Sequence, residues 1–160
     1  MPTHSPGAAT LLTKSDLIGS WKLEGSYEDL DGVIGVNPNF GENPVGFLHY
    51  TAEDRVAVII ASGGRKKMAG AHRRRASVED LAEAARTFDA YAGRFTFRAP
   101  DQIIHHIEAN SYENDVGRDF VRRIELDGDR LTLHVPPDEP DAGKTSKRWH
   151  EWRRITTPLK

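Results

Sequence analysis

Cysteine is absent from this 160-residue chain, and that one absence removes disulfides, thiolate metal sites, iron–sulfur clusters and a cysteine nucleophile together. A surplus of positive charge is also missing. Lys and Arg number 22 against 24 Asp and Glu, a formal net charge of -2, which argues against a dedicated polyanion binder. Long apolar runs are missing too. Mean hydropathy is -0.59, and nothing approaches the roughly 18 residues of a membrane span. The opening residues, MPTHSPGAATLL, lack the basic segment and continuous apolar stretch of a signal peptide, so residues 1–14 read as a flexible lead-in. A chain without cysteine fits a reducing cytosol, and a cytoplasmic location is expected. The remainder suits one domain over residues 15–156, followed by a short tail at 157–160.

What is present is a dense series of strand patterns. Ser15 reads as the N-cap of one helical turn that Gly19 ends. From residue 21 to 27, Trp21, Leu23 and Tyr27 share one face and Lys22, Glu24 and Ser26 the other, as in a half-buried strand. Residues 28–45, rich in Gly, Asn, Pro and Asp, read as a loop. Two apolar runs, 46–50 and 55–60, predict a hairpin with Leu48, Tyr50, Val56, Val58 and Ile60 inward. A basic stretch, 63–75, carries Arg65, Lys66, Lys67, Arg73, Arg74 and Arg75. Residues 77–90 have helical spacing, with Ser77 and Asp80 at the start. Strand-like runs follow at 93–98, 103–110, 120–126 and 131–135, the last two joined by Asp127-Gly128. A polar loop at 136–144 precedes a final strand at 147–155. Eight strands with short connections and one helix predict an all-β, closed antiparallel barrel, the helix packed across one opening or side.

Strand parity then nominates the interior. Gly93, Phe95 and Phe97 face in. Ile103, His105, Ile107 and Ala109 form the apolar face of the next strand, and Phe120, Arg122, Ile124 and Leu126 that of the one after. A one-residue slip would reverse each assignment. Two ionisable groups on inner faces need an explanation, because a buried unpaired charge is costly. Either Arg122 spans the barrel end and stacks on a Trp with His105 bonded nearby, or both face a cavity. In the second case Arg122 would hold a carbonyl, enolate or carboxylate oxygen and His105 would move a proton.

Leu17-Ile18-Gly19-Ser20-Trp21 resembles the Gly-x-Trp opening of lipocalins, and Arg154 resembles the arginine that stacks on that Trp. The wider set is similar to single-domain lipocalin-like proteins: residues 43–51, Tyr91-Ala92-Gly93, His105-His106-Ile107-Glu108, Val116-Gly117, Arg122, residues 126–133 and 152–155. The resemblance implies an eight-stranded barrel around a small apolar molecule. Some lipocalin-like proteins of natural-product pathways are cofactor-free cyclases or isomerases, which implies an enzyme needing no cofactor. His105 and Arg122 would then be catalytic, Tyr50 would hydrogen-bond to the substrate, and Asp115, standing where the family is expected to have an aromatic, would be an acid/base partner of His105. Tyr27, Leu48, Val58, Phe95, Phe97, Ile107, Phe120, Ile124 and Trp152 are the expected ligand-binding wall. A non-catalytic carrier using the same cavity is the alternative. A third is an interaction module that docks an acidic partner on residues 65–75.

Other chemistries fit poorly. His105 and His106 are adjacent on a strand and point to opposite faces, so they cannot share a metal ion, and no metal site is predicted. Gly63-Gly64-Arg65-Lys66-Lys67 lacks phosphate-loop spacing, and there is no Gly-x-Ser-x-Gly elbow. The net charge and the lack of an aromatic stripe beside the basic stretch make nucleic acid an unexpected partner, and the lack of a long apolar run does the same for a membrane. A monomer or homodimer is expected.

Overall fold

Alternating apolar residues build nine antiparallel strands among the described residues, 11–136 and 146–157, of a computed structural model. They are β1 (Gly19–Leu30), β2 (Val33–Val36), β3 (Val45–Tyr50), β4 (Arg55–Ala61), β5 (Phe88–Arg98), β6 (Gln102–Asn110), β7 (Asp119–Asp127), β8 (Arg130–Val135) and β9 (Ser146–Arg154). Helix α1 (Lys14–Leu17) precedes β1, and α2 (Val78–Arg86) lies between β4 and β5. The start of β1 pairs with β3 and most of its length with β9, so eight strands close into the expected barrel.

The ninth strand corrects the loop expected at 28–45. β1 runs on to Leu30, and β2 returns along it through Asp31 and Gly32, both at positive φ. That Asp-Gly pair is a strong hairpin signal. The far part of the polar loop expected at 136–144 lies outside the described residues.

One end of the barrel is packed shut. Trp21, Leu17, Leu48, Ile103 and Leu131 are all fully buried there. The Arg154 guanidinium lies 4.2 Å from the centre of the Trp21 ring and donates to the carbonyls of Ile18 (2.9 Å) and Asp16. Trp21 Nε1 donates to the Leu17 carbonyl at 3.0 Å, which ties α1 beneath the barrel. The N-cap of α1 is Thr13 rather than Ser15. Its backbone N–H and hydroxyl both donate to the Asp16 carboxylate, at 2.8 and 2.9 Å. Gly19 opens β1 at φ 137, where a Cβ would come within 2.9 Å of the Arg154 guanidinium.

Helix α2 is shorter than expected and more peripheral. Its cap is Ser77, whose Oγ accepts from the Asp80 N–H at 3.1 Å. It ends at Arg86 because residues 88–90 pair with β4 instead. It buries no side chain and contributes none to the barrel interior, so it does not pack across the open end. Among the described residues no helix is long and apolar enough to cross a membrane.

Two bulges decide which side chains turn inward. On β1, Leu23 pairs with Trp152 but Gly25 pairs with Glu151, which leaves Glu24 as an extra residue. Parity flips beyond it. Ser26 turns in and is buried, whereas Tyr27 turns out and packs on Trp149, ring centroids 5.8 Å apart. On β6, Glu108 is the extra residue, since Gly93 pairs with Ile107 and Ala92 with Ala109. Asn110 therefore turns in and Ala109 is exposed.

Candidate functional site

Away from Trp21 the barrel stays hollow. A cavity of about 620 Å³ opens at that end, within the roughly 300–1,000 Å³ of small-molecule sites. Its walls are Asn37, Val58, Ile60, Tyr91, Phe120, Arg122, Leu133, His150 and Trp152, and its rim includes Asp89, Asp115 and Arg118.

The expected site residues divide between the two halves. Val58, Phe120, Arg122, Trp152 and Asp115 line the cavity. Leu48, Phe95, Ile107 and Ile124 are buried, and Phe97 packs against the core, but none of these five reaches the void. Tyr27 lies on the outer face. Tyr50 and His105 face in but sit in the packed half. Tyr91 and His150 join the lining without having been expected there. Both were detectable by parity, Tyr91 two residues before Gly93 and His150 two before Trp152.

His105 is fully buried with both ring nitrogens engaged. Nε2 is 2.7 Å from the Tyr50 hydroxyl and Nδ1 2.9 Å from that of Tyr91. Burial, helped by the Arg122 charge and by His106, pulls its pKa down to about 3. Burial also raises the Tyr91 hydroxyl to about 12 and the Tyr50 hydroxyl well above its ordinary value. His150 holds the Ser26 hydroxyl at 3.0 Å through Nδ1, and burial followed by Arg122 lowers it to about 4. Both imidazoles are neutral near pH 7.

Arg122 points into the cavity half-buried. It donates to the Val121 carbonyl at 3.1 Å and lies 5.0 Å from the Phe120 ring centre. The stacking on a Trp that was one expectation for Arg122 is instead made by Arg154. Among the described residues no carboxylate pairs with Arg122. Asp115 is not a partner of His105. It sits on a surface turn with its carboxylate 2.7 Å from the Arg118 guanidinium. Burial, and then the Asp115 charge, raises the pKa of Asp89 on the rim.

These shifts set the acid response. An unfolded histidine takes up its proton near pH 6.5, whereas folded His105 does so near 3 and His150 near 4. Both states are neutral above 6.5. Below it the unfolded chain binds protons that the folded chain refuses, so stability falls as pH falls, by up to about 1.4 kcal/mol per pH unit for each histidine. Chemical denaturation between pH 7 and 5 should show this slope, and His105→Gln should remove about half of it. An unchanged slope in that variant would contradict a buried neutral His105.

Over residues 18–155 the chain matches the model of the lipocalin-like domain. It belongs to that family. A curated relative, the 4'-hydroxy-3'-methoxypropiophenone carrier protein ppsC of Aspergillus oryzae (strain ATCC 42149 / RIB 40), is 33% identical over an alignment spanning 48% of this chain and 76% of that protein. Among solved structures, a point mutant of the fluorescent protein UnaG aligns with 91% of this chain and 100% of its own, at 11% identity and a TM-score of 0.40. This lipocalin-like domain is thus a barrel shut at one end, with a cavity of small-molecule size at the other.

Proposed function

We propose that this lipocalin-like domain is a carrier. It takes up a small, largely apolar molecule through the open end, holds one of its oxygens on Arg122, and returns it chemically unchanged. The supporting observation is the Arg122 guanidinium itself, half-buried at a cavity wall with no carboxylate partner among the described residues. A partly desolvated charge of this kind gains most from an electron-rich oxygen. The low basicity of His105 and His150, each with a ring nitrogen already engaged, weighs against either as the base of a proton-transfer enzyme. The fungal relative is named a carrier protein, which agrees with this reading.

The test uses 4'-hydroxy-3'-methoxypropiophenone, an aryl ketone bearing a phenol, as the probe. Titration should quench the fluorescence of Trp152 in the cavity wall. Arg122→Met should weaken binding by about 10- to 100-fold, the loss of one charge-assisted hydrogen bond. Mass spectrometry should recover the probe unaltered. Equal affinity in the variant would overturn the proposal.

A second reading is a cofactor-independent isomerase or cyclase acting on a natural-product intermediate. It is favoured by the raised pKa of Asp89, an acid/base group at the rim of the same cavity. Conversion of a bound molecule into an isomer, abolished in Asp89→Asn, would decide for it.

A further inference from the structure

We infer that the deep part of the cavity is a seat for an anionic oxygen, such as a phenolate or enolate, with Tyr91 as its hydrogen-bond donor and Tyr50, acting through His105, setting the direction of that bond. This rests on the carrier reading and names the ligand's chemical class.

Proton positions follow from which groups lack an alternative partner. The Tyr50 hydroxyl is buried, and among the described residues His105 Nε2, at 2.7 Å, is its one polar contact. If that hydroxyl accepted a bond from His105, its own proton would be stranded in the core, at a cost of about 1–3 kcal/mol. Tyr50 therefore donates to Nε2. A neutral imidazole then carries its proton on Nδ1, and Nδ1–H donates to the Tyr91 oxygen at 2.9 Å. The Tyr91 proton has no acceptor among the described residues, and Tyr91 lines the cavity.

A second relay has the same polarity. The Asn39 N–H donates to Asn37 Oδ1 at 3.1 Å, which fixes the amide orientation. Asn37 Nδ2 then donates to Ser26 Oγ at 3.1 Å. The buried Ser26 hydroxyl has His150 Nδ1, at 3.0 Å, as its acceptor. His150 thus carries its proton on Nε2, on a ring that lines the cavity. The Trp152 indole N–H, in the same wall, is buried without a partner among the described residues. Tyr91, His150 and Arg122 give the deep wall its donors, while of the lining carboxylates Asp89 and Asp119 are exposed and Asp115 is held by Arg118. A neutral phenol must place its own proton on water or on the one lone pair that the Tyr91 oxygen has left. A phenolate would fill every donor it reaches.

The experiment titrates 4-nitrophenol, whose phenol and phenolate differ in absorbance, against the full chain across pH. Wild type should prefer phenolate over phenol by at least about tenfold, read as a fall of about one unit in the bound probe's apparent pKa. Tyr91→Phe should abolish most of that preference, weakening phenolate binding by at least about tenfold more than phenol binding. Tyr50→Phe, remote from the cavity, should act in the same direction, because it lets His105 change tautomer and accept the Tyr91 proton. General damage would instead weaken both protonation states alike. Nitrogen-15 NMR of the unmodified protein should place the His105 proton on Nδ1, and a proton on Nε2 overturns the inference whether or not the variants fold. Arg122-dependent binding with no phenolate preference overturns this inference alone. Absence of any Arg122-dependent binding of either probe overturns the carrier reading with it.

Discussion

Trp21→Ala is expected to cost about 3–5 kcal/mol of folding stability. The indole is fully buried at the shut end and carries three contacts at once. It fills the space between β1, β3 and β9, donates to the Leu17 carbonyl, and offers its face to Arg154. Truncation leaves a cavity, a carbonyl without its donor and a guanidinium without its ring. A domain of this size has about 5–15 kcal/mol in all, so the variant should stand near the limit of folding. Urea denaturation would show a large fall in midpoint at constant slope. A loss below about 1 kcal/mol would mean that α1 and Arg154 seal the barrel without the indole.

Gly93→Ala should be nearly as damaging, although it adds a single methyl group. A Cβ at this position would sit 1.8 Å from the His106 carbonyl oxygen and 3.1 Å from the Glu108 nitrogen. Both are backbone atoms of the bulged strand and cannot swing aside as a side chain could. The strands must separate or the bulge must move, at about 3 kcal/mol, the upper part of the range for overpacking. At about 2–4 °C per kcal/mol for a chain of this length, the melting point should drop by roughly 6–12 °C. Displacement of β5 against β6 would also pull Tyr91 away from His105, so the phenolate preference should fall together with stability. A variant that melts like wild type would show that the bulge is soft.

Alternation predicted the interior correctly wherever a strand ran without interruption. Leu48, Tyr50, Val56, Val58 and Ile60 on the β3–β4 hairpin are buried as expected, as are Phe95, Ile103, His105 and Ile124. It failed for Tyr27 and Ala109 because each lies just beyond a bulge, and one extra residue inverts every later side chain. The division of inward residues between packed core and void was not legible. Tyr50 and Tyr91 are the same residue type, both face inward and both bond to His105, yet one is core and the other lines the cavity. Their difference is height along the barrel axis, which depends on strand stagger. Gly-x-Trp and Arg154 were legible because cation–π closure joins residues near the chain's two ends, each in a recognisable context.

Closure by Trp21, Leu17 and Arg154 leaves the hollow, among the described residues, with its doorway at the opposite end. In the proposed carrier, a resident molecule would leave by the doorway through which it entered. Exchange in such a carrier would run in sequence, exit before entry. A recipient would meet that carrier at the rim that bears Asp89, Asp115 and Arg118.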